Sequence, residues 1–343
     1  MFGMAWGALA GNAAKKLVSL RVFNTDVVFS SNNKGATFDK TLGSFGVGSF
    51  TYSRPPIAVI DGLVYISNQL GQVFTTSDFV SFTQITVASI ELNGGSTVFG
   101  YGVGFYYDGA DLFALADVAG NTDFNLYKSS DLGLNWTILA RCMFFGILEV
   151  YDAIIGDNYF CIPINSTNNT AYALIHKTTY NVTFVLTSSH TDLRDATGSG
   201  FYSNGFFYFP SQDRITIVND TTGQFSRSSN MPKSPVNSCA KGINSNRIVA
   251  ATQTSDGVVR VYYSDNDAVT WSVATIPFIA FGATVAVPLC IAALDGGGFA
   301  MSYGAPSVLE GIIYSADGIT WANATINNSS FFYPPYALYN NPL

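Results

Sequence analysis

The sequence predicts an all-β fold, a single β-propeller of seven four-stranded blades, and three observations predict it. First, a turn motif that opens on Ser or Thr and closes on Trp or Phe recurs seven times, twice in worn form, along 343 residues. Second, the closing aromatics stand at positions 38, 82, 136, 184, 225, 271 and 321. Steps of 41 to 54 residues are the repeat length of radial arrays that use one small antiparallel sheet per repeat. Third, apolar runs alternate with Gly, Asn and Asp turns throughout, and no helical periodicity of useful length interrupts them.

The motif copies come in order. Three share one length: Ser31-x-Asn33-x-Gly35-x-Thr37-Phe38, Ser129-x-Asp131-x-Gly133-x-Asn135-Trp136 and Ser264-x-Asn266-x-Ala268-x-Thr270-Trp271. Two are one residue shorter, Thr76 to Phe82 and Ser315-x-Asp317-Gly318-x-Thr320-Trp321. Worn copies are expected from Thr178 to Phe184 and from Asn219 to Phe225. Ser, Thr, Asp and Asn at these places bond the backbone of their own turn, so the motif residues are expected to be structural.

Between motifs each repeat reads as strand, tight turn, strand, loop and third strand. The first hairpin turns are Asp61-Gly62, Asp108-Gly109, Gly156-Asp157-Asn158, Asn204-Gly205, Asn244-Ser245-Asn246 and Asp295-Gly296. Asp-Gly and Asn-Gly supply the positive φ angles of two-residue hairpins. Before the first motif there is room for only two strands, Leu17–Phe23 and Val27–Ser30, whereas a surplus strand lies near Tyr336–Asn340. That strand follows Pro334-Pro335, as the first strand of the second repeat follows Pro55-Pro56. The C-terminal strand is therefore expected to complete the first blade and close the ring, leaving no open edge between the ends. The domain layout is an apolar arm over 1–16 and the propeller over 17–343.

Composition bounds the function. Charged residues are 11% of the chain and aromatics 15%, with a net charge of −7; average soluble proteins are about a quarter charged. Scattered Lys and Arg on an acidic chain argue against nucleic acid, which needs a concentrated basic face. Cys142, Cys161, Cys239 and Cys290 lie in apolar runs and read as buried thiols. The arm holds Phe2, Trp6 and Leu9 ahead of Lys15-Lys16, the reverse of a secretory leader, and is too short to span a membrane. It is expected to pack on the propeller or on a neighbouring subunit, or else to extend the first strand.

The Ser-x-Asp-x-Gly-x-Thr-Trp pattern resembles the Asp-box (BNR) repeat of sialidases and many other β-propellers, over essentially the whole chain after residue 16. The resemblance implies that Ser129, Asp131, Gly133, Trp136, Ser264, Trp271, Ser315, Asp317 and Trp321 sit at the outer rim, away from the central site. It also raises a glycosidase reading, in which Arg54, Arg141 and Arg194 clamp a carboxylate and Glu149 lies near one of them. The family's Arg-Ile-Pro signature, however, precedes the first box, whereas Ser53-Arg54-Pro55-Pro56 follows it here. Glu is scarce as well, with only Glu91, Glu149 and Glu310.

Other candidates lie in the loops. Tyr52, Phe145, His190 and Tyr333 stand in segments expected to gather on one face and are candidates for receptor or glycan contact. Asp117, Asn121 and Asp123 offer oxygen ligands, but their spacing is not that of a calcium loop, so no metal and no cofactor is expected. The Asn-x-Ser/Thr triplets carry no assigned meaning in a chain this rich in Ser, Thr and Asn. The function expected from all this is non-enzymatic: a structural or binding propeller of a larger assembly, in the form of a phage tail, fibre or capsid-decorating protein. Its expected partners are other virion or assembly proteins and a cell-surface glycan, with a sialidase-like hydrolase or secreted lectin as the alternative.

Overall fold

A computed structural model describes residues 16–22, 26–31, 33, 36–42, 57–67, 73–77, 81–86, 89–90, 102–117, 124–142, 147–150, 153–166, 170–186, 200–211, 213–231, 236–243, 245–253, 258–277, 279, 287–294, 297–305, 309–327 and 337–341. All regular elements among them are β-strands. They form seven hydrogen-bonded sheets, numbered I to VII by position in the chain. Sheets I, V, VI and VII belong to one compact unit and sheets II, III and IV to another.

Six of the sheets are antiparallel meanders of one continuous stretch of chain. Sheet II runs Ile57–Ile60, Leu63–Ser67, Val73–Thr76, Thr83–Ile85. Sheet III runs Gly102–Tyr107, Leu112–Asp117, Phe124–Ser129, Asn135–Cys142, with Ser89–Ile90 added at its outer edge. Sheet IV comprises Ile147–Val150 with Ile154–Ile155, then Tyr159–Ser166, Thr170–His176 and Val182–Leu186. Sheet V is Phe201–Ser203, Phe206–Pro210, Ile215–Asn219, Phe225–Arg227; sheet VI is Val236–Lys241, Ile248–Gln253, Val259–Ser264, Ser272–Val273. Sheet VII is Val287–Ala293, Phe299–Ala305, Leu309–Ser315, Ala322–Asn323.

The expected count of seven blades is corrected here: six, not seven, are continuous meanders. Sheet I is instead composite, ordered Thr325–Asn327, Thr37–Leu42, Asp26–Ser31, Lys16–Val22, Ala337–Asn341. Its C-terminal strand pairs antiparallel with the first one, Leu17 opposite Asn340 and Leu20 opposite Ala337.

The tight turns follow their residues. Asp61-Gly62 and Asn204-Gly205 take left-handed φ angles of 50° and 78°, and of 52° and 82°, the combination a two-residue hairpin needs. In sheet VII the expected Asp295-Gly296 lies outside the described residues, and the left-handed positions are Gly297 and Gly298. A Cβ on Gly298 would stand 2.5 Å from the Ser315 carbonyl oxygen, so only glycine lets this hairpin approach the motif turn beside it.

Strands buried on both faces build the core. In sheet VI, Val249 and Ala251 pack with Phe299, Met301, Ile313 and Trp321 of sheet VII. Their neighbours Ile248 and Ala250 pack with Phe201, Tyr208 and Ile215 of sheet V. The alternation is the period of two that a pleated strand imposes. The second unit repeats it: Leu112 and Ala114 face Ile60 and Val73, while Phe113 and Leu115 face Phe160 and Ile162. A polar strap also joins sheets VI and VII, the Ile291 N–H donating to Ser238 Oγ at 2.9 Å.

Candidate functional site

The best-defined polar constructions are the motif turns. In sheet III, Ser129 ends its strand buried and donates through Oγ to Asp131 Oδ1 at 2.7 Å, while accepting the Gly133 N–H at 2.8 Å. Asp131 accepts the Asn135 backbone N–H at 2.8 Å and its side-chain amide at 2.7 Å. The Trp136 indole N–H closes the loop on the Gly133 carbonyl at 2.9 Å, with the ring 2% exposed. Gly133 sits at a φ of 96°, where a side chain is strained.

Sheet VII repeats the pattern one residue shorter. Ser315 donates to Asp317 at 3.1 Å and accepts the Gly318 N–H at 2.8 Å. Asp317 Oδ1 accepts the N–H groups of Ile319 and Thr320, and the Trp321 indole donates to the Gly318 carbonyl at 3.2 Å. In sheet VI, Ser264 donates to Asn266 at 2.9 Å and accepts the Ala268 N–H at 3.0 Å. In sheet I, Ser31 donates to Asn33 at 3.0 Å.

These bonds act on the carboxylates. The Asn135 side chain and backbone N–H hold Asp131 below the ordinary carboxylate range. Burial alone would raise Asp317, but the N–H groups of Thr320 and Ile319 outweigh it and the result is a lowered pKa. Arg247 lowers Asp265 through a two-pronged ion pair at 2.7 and 2.8 Å. The same guanidinium donates to the Asp317 carbonyl at 2.6 Å and lies over the Tyr263 ring. One arginine of sheet VI thus ties its own motif turn to that of sheet VII. Arg214 lowers Asp213, and Lys128 lowers Asp111, in the same manner.

The two worn copies are built differently from expectation. The turn expected to start at Thr178 starts at His176, whose Nδ1 accepts the N–H groups of Thr178 and Thr179 at 3.2 and 3.3 Å. Asn219 Oδ1 does the same for Thr221 and Thr222, both at 2.8 Å. Each turn then closes by a backbone bond four residues on, Tyr180 to His176 and Gly223 to Asn219. One acceptor on the first residue therefore replaces the Ser–Asp pair.

Of the other sequence candidates, Arg141 is exposed near the end of strand Asn135–Cys142, opposite Asn125 in register. Glu149 lies on strand Ile147–Val150 opposite Asn165. Arg54, Arg194, Tyr52, Phe145, His190 and Tyr333 lie outside the described residues, as do Phe2, Trp6 and Leu9 of the arm and Asn121 and Asp123 of the acidic loop. No helix among the described residues is long and apolar enough to cross a membrane.

Sequence reasoning missed a second device beside the same turns. After leaving sheet II the chain lays Ser89 and Ile90 parallel to Asn135 and Trp136 of sheet III. After sheet VII it lays Thr325 and Ile326 parallel to Thr37 and Phe38 of sheet I. After sheet VI, Thr275 bridges in parallel to Thr320 of sheet VII. Each time a hydroxyl residue opposes the position before the closing aromatic. The signal was present in the sequence: Ala-Ser/Thr-Ile occurs three times, at 88–90, 274–276 and 324–326, once in each of these linkers.

No family model and no curated protein matches the chain. Solved structures do. A protein designated a 6-phosphogluconolactonase from Bacteroides uniformis aligns with a TM-score of 0.62 at 6% identity, over 95% of this chain and 99% of that one. YCF48 bound to D1 peptide aligns at 0.60 and 11% identity, over 89% and 90%. A second lactonase-designated protein, from Bacteroides fragilis, aligns at 0.56 and 9%, over 92% and 99%. Matches extend to 1137 chains, and at such identities they carry the fold and not an activity. The chain is an all-β propeller with four-stranded antiparallel blades.

Proposed function

We propose that sheet I is a blade that both ends of the chain build. The linkers support this. Those leaving sheets II and VI pair with the sheet next in the chain, and the one leaving sheet VII pairs with sheet I. By the same rule sheet I follows sheet VII. On this reading the motif turns are Asp-box repeats, a reading supported by the Ser-to-carboxylate bonds of sheets III and VII.

On that scaffold the protein acts as a non-enzymatic structural or binding component of a larger assembly. The specific reading is a phage virion protein of tail, fibre or capsid-decorating type that touches a receptor or glycan through its aromatic loops. One observation carries it: the described ion pairs and low-pKa carboxylates serve turns and neighbouring sheets. With only 11% of the chain charged, polarity rests largely on Ser, Thr, Asn and Gly. Such a composition suits protein burial and sugar stacking. A protein of the same fold bound to a peptide fits a binding role.

The test is immunogold labelling of purified particles from cells that express the protein. Labelling at a fixed position on the particle is expected, and protein found only free in the medium contradicts the reading. Turnover of a fluorogenic sialoside that disappears in Arg141→Ala would establish the hydrolase alternative instead.

A further inference from the structure

Among the described residues, the outer edge of sheet VI lacks what sheets I, III and VII have. In sheet VII the Trp321 backbone N–H donates to the Thr275 carbonyl at 2.9 Å, and the Thr275 N–H donates to the Ile319 carbonyl at 2.7 Å. In sheet I the Thr325 N–H donates in the same way to the Ala36 carbonyl at 2.8 Å. The matching groups of sheet VI are the Trp271 backbone N–H and the Val269 carbonyl. Neither has a partner among the described residues.

Three further observations mark the same place. Trp271 is only half-buried and its indole N–H is shielded yet unbonded, whereas Trp136 and Trp321 are 2% and 4% exposed with their indoles bonded. Val269 and Val273, on either side of it, are 62% and 60% exposed. The linker that leaves sheet V is described over 228–231: its Met231 N–H donates to the Asp213 carbonyl at 2.7 Å, and Met231 belongs to the apolar cluster against which Trp271 packs, but no described residue of it pairs with the edge.

We infer that this edge is a docking site for an extended segment of a second polypeptide, which adds as a parallel strand along Val269–Val273. The occupant carries Ser or Thr followed by Ile. Its hydroxyl residue pairs with Thr270, donating its N–H to the Val269 carbonyl and accepting the Trp271 N–H, and its Ile lies beside the Trp271 ring. The chain itself sets these requirements by filling three equivalent edges with that dipeptide in one register. The segment comes from another chain because every Ser/Thr-Ile here lies in a strand or bridge already placed, at 89–90, 137–138, 216–217, 275–276 and 325–326. Strand addition to an open edge draws affinity from main-chain bonds and specificity from alternate side chains. This inference rests on the proposed binding role and assigns it a surface.

The experiment titrates the 15N-labelled full chain with the capped peptide Asn-Ala-Thr-Ile-Asn, and separately with the same peptide N-methylated at Thr. The Trp271 indole resonance is identified by its loss in Trp271→Phe, Phe being the closing residue of other copies of the motif. The expected result is a saturable shift of the Trp271 backbone and indole N–H signals, with the N-methylated peptide binding roughly tenfold more weakly for want of one backbone bond. Signals unmoved at millimolar peptide, or moved equally by both peptides, overturn the docking site. If they stay unmoved while particles are labelled by immunogold, the edge alone is wrong. If they shift and particles are unlabelled, the edge stands and the virion reading falls.

Discussion

The turns of sheets III and VI have the same length and the same opening Ser, yet only one of them buries its tryptophan. Ser129 and Ser264 make the same pair of bonds, one to the Asp or Asn two residues on and one from the N–H four residues on. The turn network therefore forms from local residues alone. What differs is outside it: sheet III has a linker strand along its edge and sheet VI has none among the described residues. The seat of the tryptophan thus depends on the neighbouring segment as well as on the turn.

The largest expected effect tests this contrast. Trp136→Ala should cost about 3–5 kcal/mol in denaturant unfolding, as for other buried large aromatics. Trp271→Ala should cost roughly 1–2 kcal/mol, since much of its apolar surface is never removed from water. Equal losses would mean that the two rings are seated alike. Next in size are the turn acceptors. Ser129→Ala leaves the buried Gly133 N–H unpaired and should cost about 1–3 kcal/mol, and Ser264→Ala the same, because this part of the two turns is alike. A smaller effect sharpens the view of the worn turns. His176→Ala should cost about 1 kcal/mol, while His176→Asn should be nearly neutral because Asn219 fills that role in the next sheet.

The smallest effect per residue is electrostatic. Asp131, Asp213, Asp265 and Asp317 have lowered pKa values in the folded chain. Below their ordinary value of about 3.9 the unfolded chain takes up protons first. Their contribution is complete above that pH and is lost as pH falls through the folded values. Melting temperature should therefore be level above about pH 5 and decline below about pH 4. The step should be modest for each of these solvent-exposed groups.

Most of the sheet plan was legible because it is written in short-range signals. Asp61-Gly62 and Asn204-Gly205 announce their hairpins, and Ser129, Asp131 and Trp136 announce a turn whose bonds span four residues at most. The surplus strand was legible from its Pro-Pro context. The parallel linkers were not read: Ala-Ser/Thr-Ile has no local turn chemistry, and its meaning appears only when it lies beside a closing aromatic more than 40 residues away in Ser89–Ile90 and Asn135–Trp136. His176 was missed for the opposite reason. Its role is local, but an imidazole nitrogen standing in for an Asn oxygen is not a pattern that turn preferences reveal. The loop candidates Arg54, Arg194 and Tyr333 rested on where loops gather, which depends on long-range arrangement, not on neighbours in sequence.

The most direct test of the account compares two backbone amides in one hydrogen-exchange experiment. Trp321 N–H is bonded to the Thr275 carbonyl and should be protected to the level of the sheet core, whereas Trp271 N–H, at an open edge, should exchange as fast as an exposed loop amide. Comparable protection at both sites would contradict the open edge of sheet VI, and with it the contrast on which the binding surface rests.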